Sequence, residues 1–565
     1  MKLPLCIWKL LVASLALYAS TGTIAQPLPS AGSQLLQIPA LPVEPSAPPD
    51  VRIKSNDPSP SPSPRADAGK VVVASIQFSG ATVVPVSELI RQTGFVSGQS
   101  YTLGELRELA ARVTSHYRSL GFFLAQTYVP PQDITNGMVQ FTVVEGHYGL
   151  IKLNNQSRLS DAVANKLLES LPGTGAVTSA ELERRLLVLS DLPGVYAKSV
   201  LTPGEKLGTT DLNVQLSESH RTGGKLDFDN HGNKYTGAHR IGASVFLNEP
   251  TGLGDLATAR VLTAGDGLSY GQATYQAQVG WAAVGLSYAA MTYRLSGDFS
   301  SIQSSGTAHV QSFFLGYPLI RSREKNLSIQ WSSDRKEFSD LTALGSMGTR
   351  ADKDTRLASV TLRGDFRDSS GQASNDYAAT WSHGEINLYE PTARNLDSMS
   401  AQSQGGFDKV TFGFARLQAV SKATQLYAGI NGQWASKNLD ASEKFSLGGA
   451  GSVRAFPSGE AAGDEGLVLT VESRTNLPSP TEQLPGKLRL LAFLDAGVVN
   501  TNKALWGADT GVNQRSLSGA GLGLIFVGAD KLVINAYYAF KLGSNVSQSQ
   551  NDAPGRFWFQ INKSF

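Results

Sequence analysis

The chain has 565 residues, which at about 150 residues per domain predicts three or four domains. Lys plus Arg number 49 and Asp plus Glu 47, so the net charge of +2 argues against a nucleic-acid-binding protein. The mean hydropathy of −0.13 excludes a bundle of membrane helices. A charged fraction of 17%, against a usual value of about 25%, and 57 glycines are typical of membrane β-barrels and of large β-solenoids.

Residues 1–25 have the pattern of a signal peptide, with two lysines, the apolar stretch Leu10–Ala19 and small residues before a cleavage site after Ala25. The apolar stretch is too short for a membrane anchor, the alternative interpretation. Cys6, the only cysteine, lies in this segment. The exported chain is therefore predicted to have no disulfide and no cysteine-based metal site. Because the two lysines of the signal peptide account for the net charge of +2, the exported chain is also predicted to have no net charge.

Residues 26–70 are predicted to be a linker. Eleven prolines between residues 26 and 64 favour an extended polyproline conformation. Residues 31–38 (AGSQLLQI) predict a short helix of about two turns before Pro39. A helix of this length is not stable in isolation, so it would depend on contacts with the rest of the protein.

Residues 71–148 and 149–219 predict two small α+β domains with the same order of elements. In the first, strand Val71–Phe78 precedes helices Val86–Thr93 and Leu103–Leu120, and strands Phe122–Val129 and Met138–Glu145 follow. In the second, the elements are predicted at residues 150–153, 159–170, 179–189, 197–201 and 210–217. A β-α-α-β-β order that recurs after about 75 residues indicates an internal repeat, with one irregular α+β domain as the alternative.

Residues 220–565 show alternating segments of about ten residues and no convincing helix. Sixteen strands are predicted, near residues 223, 238, 255, 270, 284, 307, 325, 355, 376, 407, 424, 466, 487, 516, 531 and 556. Short gaps alternate with long ones, which are predicted loops at residues 337–355, 388–405 and 437–466. An even strand count with this alternation predicts a closed transmembrane barrel rather than a soluble sandwich or solenoid, and the last strand ends on the aromatic Phe565.

Motifs for catalysis and metal binding are absent or poorly placed. The seven histidines form no zinc pattern, no phosphate-binding loop is present, and Gly519–Gly523 lies inside a predicted strand. Ser269 matches the nucleophile pattern of serine hydrolases, but a hairpin leads from it into a strand where a helix is required. The sequence therefore predicts neither an enzyme nor a protein that holds a metal or cofactor.

One pair of charged residues suggests a functional site. Arg454 follows a glycine-rich stretch in the longest predicted loop, and Asp495 lies in a later strand beside Phe493. If that strand turns Asp495 towards the lumen, the carboxylate requires a partner, because charges inside a membrane protein are costly. The planar guanidinium of Arg454 could bind it at two points if the loop folds inward, whereas most loop arginines are simply solvated.

The sequence resembles the two-partner secretion transporters of the Gram-negative outer membrane, the hemolysin secretion/activation proteins, over nearly the whole exported chain. The resemblance rests on motifs in one order, namely Tyr117–Phe122, Val129–Asp133, Val144–Gly146, Leu182–Val195, Leu201–Gly204, Thr209–Leu212, Leu315–Arg321, Val453–Phe456, Phe493–Gly497 and terminal Phe565.

The resemblance implies two POTRA domains in the periplasm before a sixteen-stranded barrel. It also implies export of one large, unfolded β-helical protein, a hemolysin or adhesin, whose N-terminal secretion domain binds the POTRA sheet edges. In the family a long loop enters the barrel, so Arg454 and Asp495 would form a lumenal ion pair, supported by Val453, Phe456, Phe493 and Gly497. Phe565 would be the C-terminal signal for the barrel-assembly machinery.

The chain departs from the family pattern in two places. Ala455 stands where the family has glycine in the loop tip, so a left-handed backbone there would be strained. The N-terminal plug helix of the family matches residues 31–38 only. The expected partners are the exported protein, outer-membrane lipid and the assembly machinery, and the alternatives are a general barrel-assembly factor and a passive porin.

Overall fold

The computed structural model describes residues 28–39, 54–55, 69–169, 175–206, 208–344, 347–478, 485–507 and 511–565. The predicted signal peptide, with Cys6, and most of the predicted linker lie outside these ranges. Within these ranges, no helix is both long enough and apolar enough to cross a membrane. Helix α1 (Ala31–Leu35) begins the described chain, and the two-residue strand β1 (Lys54–Ser55) follows it.

The first periplasmic unit is a three-stranded sheet with two helices on it. Its elements are β2 (Val71–Val73), β3 (Ser75–Ser79), α2 (Val86–Thr93), β4 (Gln99–Tyr101), α3 (Leu103–Ser119), β5 (Gln126–Tyr128) and β6 (Met138–Val144). β6 lies between β3, which is parallel to it, and β5, which is antiparallel. The predicted strand over residues 71–78 is interrupted at Ala74, whose N–H bonds the carbonyl of Gly137.

The helices of this unit form where the apolar spacing predicts them. Thr102 and Glu105 make a capping box at the start of α3. The apolar face of α3, at residues 106, 109, 113 and 117, is buried against the sheet. Burial of this face supplies the stability that the short helix lacks by itself.

The second unit repeats the order of the first. Its elements are β7 (His147–Gln156), α4 (Asp161–Leu168), α5 (Ser179–Ser190), β8 (Val195–Pro203) and β9 (Thr209–Glu218). β9 lies between β7 and β8, and β1 adds to the free edge of β8 in parallel. Leucines of α5 and β9 form its core.

Sixteen antiparallel strands close into a barrel, so the predicted fold class and strand count are confirmed. The strands are β10 (Thr222–Asp229), β11 (Arg240–Asn248), β12 (Leu256–Thr263), β13 (Leu268–Val279), β14 (Ala282–Arg294), β15 (Ser305–Arg321), β16 (Lys325–Leu344), β17 (Met347–Arg367), β18 (Ala373–Leu388), β19 (Gly405–Ala419), β20 (Thr424–Ala435), β23 (Glu465–Leu477), β24 (Gly486–Asn500), β25 (Gln514–Gly528), β26 (Leu532–Lys541) and β27 (Gly555–Ser564). β21 (Phe445–Leu447) and β22 (Ala461–Gly463) form a separate pair in the long loop between β20 and β23. Helix α6 (Pro391–Ser398) lies in the outer loop between β18 and β19.

The prediction of a loop at residues 337–355 is wrong. β16 and β17 form one continuous hairpin there, in register from Lys325 with Phe366 to Leu344 with Met347. The outer half of this hairpin carries polar and charged residues on both faces, so it lacks the apolar alternation used for the prediction. Paired strands that extend beyond the lipid do not need an apolar face.

The two faces of the barrel follow from the period of two along each strand. Leu286, Trp331, Trp381 and Phe412 are exposed on the outside, as a lipid-facing surface requires. Ser269 lies within β13 and its register partner is Thr263 of β12, so it does not occupy a strand-to-helix elbow.

Candidate functional site in the barrel lumen

The long loop between β20 and β23, residues 436–464, folds into the barrel. β21 and β22 pair to form its stem. Gly448 and Gly449 then turn the chain with φ values of 90° and 105°, which only glycine adopts without strain. The turn closes with a hydrogen bond of 3.0 Å from the Gly449 N–H to the Phe456 carbonyl.

The tip of this loop, residues 449–456, is buried against the barrel wall. Val453 and Phe456 are fully buried and belong to one apolar cluster with Phe493 of β24. Gly497 leaves the room for this contact, because a Cβ there would lie 2.8 Å from Leu447 and 3.2 Å from Val453. The four supporting residues predicted from the sequence are thus placed together.

Arg454 and Asp495 lie in direct contact in the lumen. Nε of Arg454 donates to Oδ2 of Asp495 and Nη2 donates to Oδ1, both at 2.8 Å. The backbone N–H of Arg454 also donates to Oδ2, at 3.1 Å. Both residues are at most 5% exposed, so this is a buried two-point ion pair of the kind that fixes geometry.

Sequence analysis missed two further members of this cluster. Nη1 of Arg454 donates to Glu472 at 2.7 Å, and Arg474 binds the other oxygen of Glu472 at 2.6 Å. The positive charges of two guanidinium groups therefore balance the negative charges of two carboxylates. Glu472 and Arg474 alternate along β23, and this inward-facing pattern is the signal that could have identified them.

Aromatic side chains enclose the arginine. The guanidinium carbon lies 3.5 Å from the centre of the Phe493 ring, within the range of a cation–π contact. The indole N–H of Trp558 donates to the carbonyl of Arg454 at 2.6 Å. The last barrel strand, which contains Trp558, is thereby joined to the loop tip.

Ala455 occupies the family glycine position without a left-handed backbone, since it is absent from the described residues with positive φ. Its methyl group lies against Gly519 of β25, where a Cβ would overlap it. The glycine in the barrel wall thus accommodates the extra methyl group of the loop.

A second set of ion pairs holds the base of the loop at the outer end of the barrel. Glu443, which is fully buried, accepts from Lys336 at 2.7 Å and from Lys409 at 2.8 Å. Asp440 accepts from Lys353 at 2.8 Å. Lys353 falls in the wrongly predicted loop over residues 337–355, which is one reason why the sequence did not reveal this cluster.

The N-terminal segment, residues 28–39, lies inside the barrel, where its helix contacts β14, β15 and β16. The N–H of Ala31 donates to Asp340 of β16 at 2.8 Å, and Thr236 donates to Gln34 at 3.0 Å. A Cβ at Gly32 would lie 2.6 Å from Ser442 of the long loop. The helix predicted over residues 31–38 is present in shorter form as α1 (Ala31–Leu35), supported by the barrel and the loop together.

Two of the recognised motifs meet where the second periplasmic unit joins the barrel. Arg321, at the end of β15, makes a two-point pair with Asp191, with contacts of 2.6 and 2.7 Å. Arg184 donates to the carbonyl of Pro318 and lies 4.7 Å from the ring centre of Trp281. These contacts fix the unit against the periplasmic hairpins.

Two other motifs meet in the first unit. The hydroxyl of Tyr117 donates to Glu145 at 2.8 Å, and the backbone N–H groups of Thr82 and Val83 donate to the same carboxylate. Burial alone would raise the pKa of Glu145, but these hydrogen bonds outweigh it and hold the pKa below its usual value. Among the described residues, no group of three or more His, Cys, Asp or Glu side chains is placed to hold a metal ion.

A sixteen-stranded barrel with two small domains at one end and its own loop in the lumen defines an outer-membrane transporter fold. The family model of the haemolysin secretion/activation proteins ShlB/FhaC/HecB matches residues 208–526, and that of the ShlB-type POTRA domain matches residues 71–146. The chain belongs to the haemolysin secretion/activation family, and it is an outer-membrane secretion pore with periplasmic POTRA domains.

Curated relatives match along most of the chain. The heme/hemopexin transporter protein HuxB of Haemophilus influenzae strain 86-028NP is 28% identical over 477 residues, which cover 83% of this chain and 82% of HuxB. The outer membrane transporter CdiB of Escherichia coli is 25% identical over 510 residues, or 82% of each chain.

The solved structure of CdiB from Escherichia coli has the same fold, with a TM-score of 0.70 at 18% identity over 92% of this chain and 94% of that one.

Proposed function

We propose that this transporter exports one dedicated, large partner protein as an extended, unfolded chain that folds into a β-helix outside the cell. The observation that carries the proposal is the way the lumen is closed. The long loop and the N-terminal segment occupy part of the lumen and are held by hydrogen bonds and ion pairs, so they are separable from the wall. A passive porin has no use for such a closure or for about 150 residues of periplasmic domains.

The partner is proposed to be a secreted hemolysin, adhesin or heme-binding protein. HuxB is named as a heme/hemopexin transporter, which favours a cargo in iron acquisition among these classes. Recognition of the cargo is assigned to the POTRA sheet edges, by strand addition. The edge of β8 supports this assignment, because it already pairs with Lys54 and Ser55 of the linker.

The driving force is proposed to be folding of the cargo outside, with neither a nucleotide nor catalysis by this chain. Arg454 and Asp495 would hold the loop tip in position while the cargo passes. Phe565, which is 64% exposed and pairs through its backbone with Gly224, would be read by the barrel-assembly machinery before the barrel enters outer-membrane lipid.

The test compares the spent medium and the outer membranes of cells with and without this protein, by quantitative mass spectrometry. Loss of one very large protein from the medium, with other barrels unchanged, is the expected result. A general fall in outer-membrane barrels would instead establish a barrel-assembly factor. If the medium is unchanged while a large exoprotein is expressed, the result would favour the alternative function of a passive porin.

A further inference from the structure

The lumen wall on strands β16 to β19 carries short uncharged polar side chains. Register pairing places them in two rows across neighbouring strands, and we call these two rows the hydroxyl wall. The rows are Gln330–Thr361–Thr380–Thr411 and Ser332–Ser359–Ser382, and the second row ends at Lys409 of β19, whose charge is paired with Glu443. Their neighbours Trp331, Leu362, Trp381 and Phe412 face the lipid. The wall therefore faces the lumen.

Two pairs of hydroxyl groups in the wall lie within hydrogen-bonding distance of each other. The hydroxyl oxygens of Ser359 and Ser382 lie 2.8 Å apart, and those of Thr361 and Thr380 lie 2.9 Å apart. Gln330 is exposed although it points into the barrel, so the lumen beside it is open to solvent, whereas Ser359 and Ser382 are buried in this closed state. A sixteen-stranded barrel is wide enough to keep an aqueous channel.

The wall formed by β23, β24 and β25, which β20 separates from the hydroxyl wall, is covered. On β23, β24 and β25 the inward residues Val468, Phe493 and Leu517 are buried against the loop tip. The Arg454 cluster fixes the tip to this wall. A chain that passes through the barrel while the tip stays in place therefore has the hydroxyl wall beside it.

The outer end of the hydroxyl wall leads to the removable parts of the lumen. Asp340 lies ten residues beyond Gln330 on β16, about 33 Å along the strand, and it binds the N-terminal segment at Ala31. Lys336, between them, binds Glu443 of the loop base. Both contacts are non-covalent, so the route along the wall can open without breaking the barrel.

We propose that the hydroxyl wall is the surface along which the exported polypeptide slides, an inference that rests on the proposed function. An extended chain presents a backbone N–H and C=O at every residue together with side chains of every kind. Hydroxyl groups exchange hydrogen bonds with such a chain at a small net gain, because each new bond replaces one to water or to a neighbouring hydroxyl. With no apolar surface in its rows and with Lys409 at their edge already paired with Glu443, the wall retains no class of segment, and transport requires that binding be weak enough to reverse.

The test uses single-cysteine variants, which are available because Cys6 is the only cysteine of the whole chain and lies in the predicted signal peptide. Ser332→Cys and Thr361→Cys are labelled with a benzophenone maleimide in cells whose exported protein, identified as above, ends in a tightly folded domain that stalls export. Leu362→Cys, on the lipid side, and Asn535→Cys, inward on β26, are the matched controls.

Illumination is expected to give adducts with the stalled protein at positions 332 and 361 at least tenfold above both controls. Adducts at position 535 without adducts at the wall would overturn the proposal. If the unmodified transporter exports normally but no adduct forms at the wall, the proposed role of the hydroxyl wall would be refuted, while the proposed function would remain intact. Failure of the transporter itself to export would refute the proposed function and the wall with it.

A second measurement tests the wall without labelling. Ser359→Trp and Thr361→Trp should each lower export at least tenfold, whereas Leu362→Trp should leave it unchanged. Heat-modifiable migration in gels shows that each variant barrel is folded. Unchanged export by both folded tryptophan variants of the wall would contradict the inference.

Discussion

Replacement of Arg454 by alanine should release the loop tip from the barrel wall without unfolding the barrel. The substitution removes three side-chain hydrogen bonds, two to Asp495 and one to Glu472. It leaves two buried carboxylates with Arg474 as the remaining cation of the cluster. An unpaired buried charge costs about 3–5 kcal/mol, so the free energy that opposes opening of the tip should fall by that amount.

Hydrogen exchange of purified protein, followed by mass spectrometry on peptides from residues 448–460, measures this free energy directly. Since about 1.4 kcal/mol corresponds to a factor of ten, exchange of the tip should become about 10²- to 10⁴-fold faster. Asp495→Asn should give a comparable change, and the double variant should cost less than the sum of the two, because neither charge is then left alone.

Arg335→Ala is the matched control, because this arginine is half-exposed and lies on the outer surface of β16. It should leave exchange of the tip unchanged. Export of the partner by Arg454→Ala should be lost although the barrel is inserted. Unaltered protection of the tip, or export at the normal level, would refute the assignment of Arg454 and Asp495 as the pair that holds the loop.

Three further outcomes follow from contacts elsewhere. Because the pKa of Glu145 in the folded state lies below its ordinary value of 4.5, its contribution to stability is complete above about pH 4.5 and is lost as the pH falls further, through the lowered folded-state pKa. Acid should therefore increase hydrogen exchange of the first POTRA unit before that of the barrel, and Glu145→Gln should remove this pH step; a step that persists would contradict it. Deletion of residues 28–39 should raise single-channel conductance several-fold with the barrel still folded, and an equal conductance would mean that the segment does not restrict the lumen. Arg321→Ala should speed exchange around Asp191 about five- to tenfold, the effect of about 1 kcal/mol for a partly exposed pair, with Arg335→Ala as the variant that should not.

The sequence was sufficient for the barrel because lipid imposes a strict pattern on each strand. Outward residues must be apolar, and an even number of strands must close, so alternation over about ten residues carries the information. The same rule explains the error at residues 337–355. β16 and β17 continue beyond the lipid, where nothing constrains the outward face, and the pattern disappears although the strands do not.

The lumenal site was only partly predictable for a related reason. Arg454 and Asp495 could be named because their motifs are recognisable, but Glu472 and Trp558 become their neighbours through strand register and barrel closure. Lys336, Lys353 and Lys409 meet Asp440 and Glu443 only after a loop of about 30 residues folds inward. Contacts of this kind depend on the path of the folded chain in three dimensions, which the spacing of residues in the sequence does not give.

The chemistry of these anchors suits a loop that must stay in place yet be separable. Apolar residues of similar volume would hold a loop at least as firmly as buried ion pairs do. Their contribution to stability is often about 1–4 kcal/mol larger than that of the ion pair. A lumen that admits water changes that comparison, because water can solvate Arg454, Glu472 and Asp495 once they part, whereas it would oppose separation of apolar surfaces. Ionic anchors therefore give the tip a defined position in the closed state and a smaller penalty for separation in a wet channel. The hydroxyl wall beside them follows the same logic, since its paired hydroxyl groups bond to one another when no chain passes and are free to bond to a passing chain.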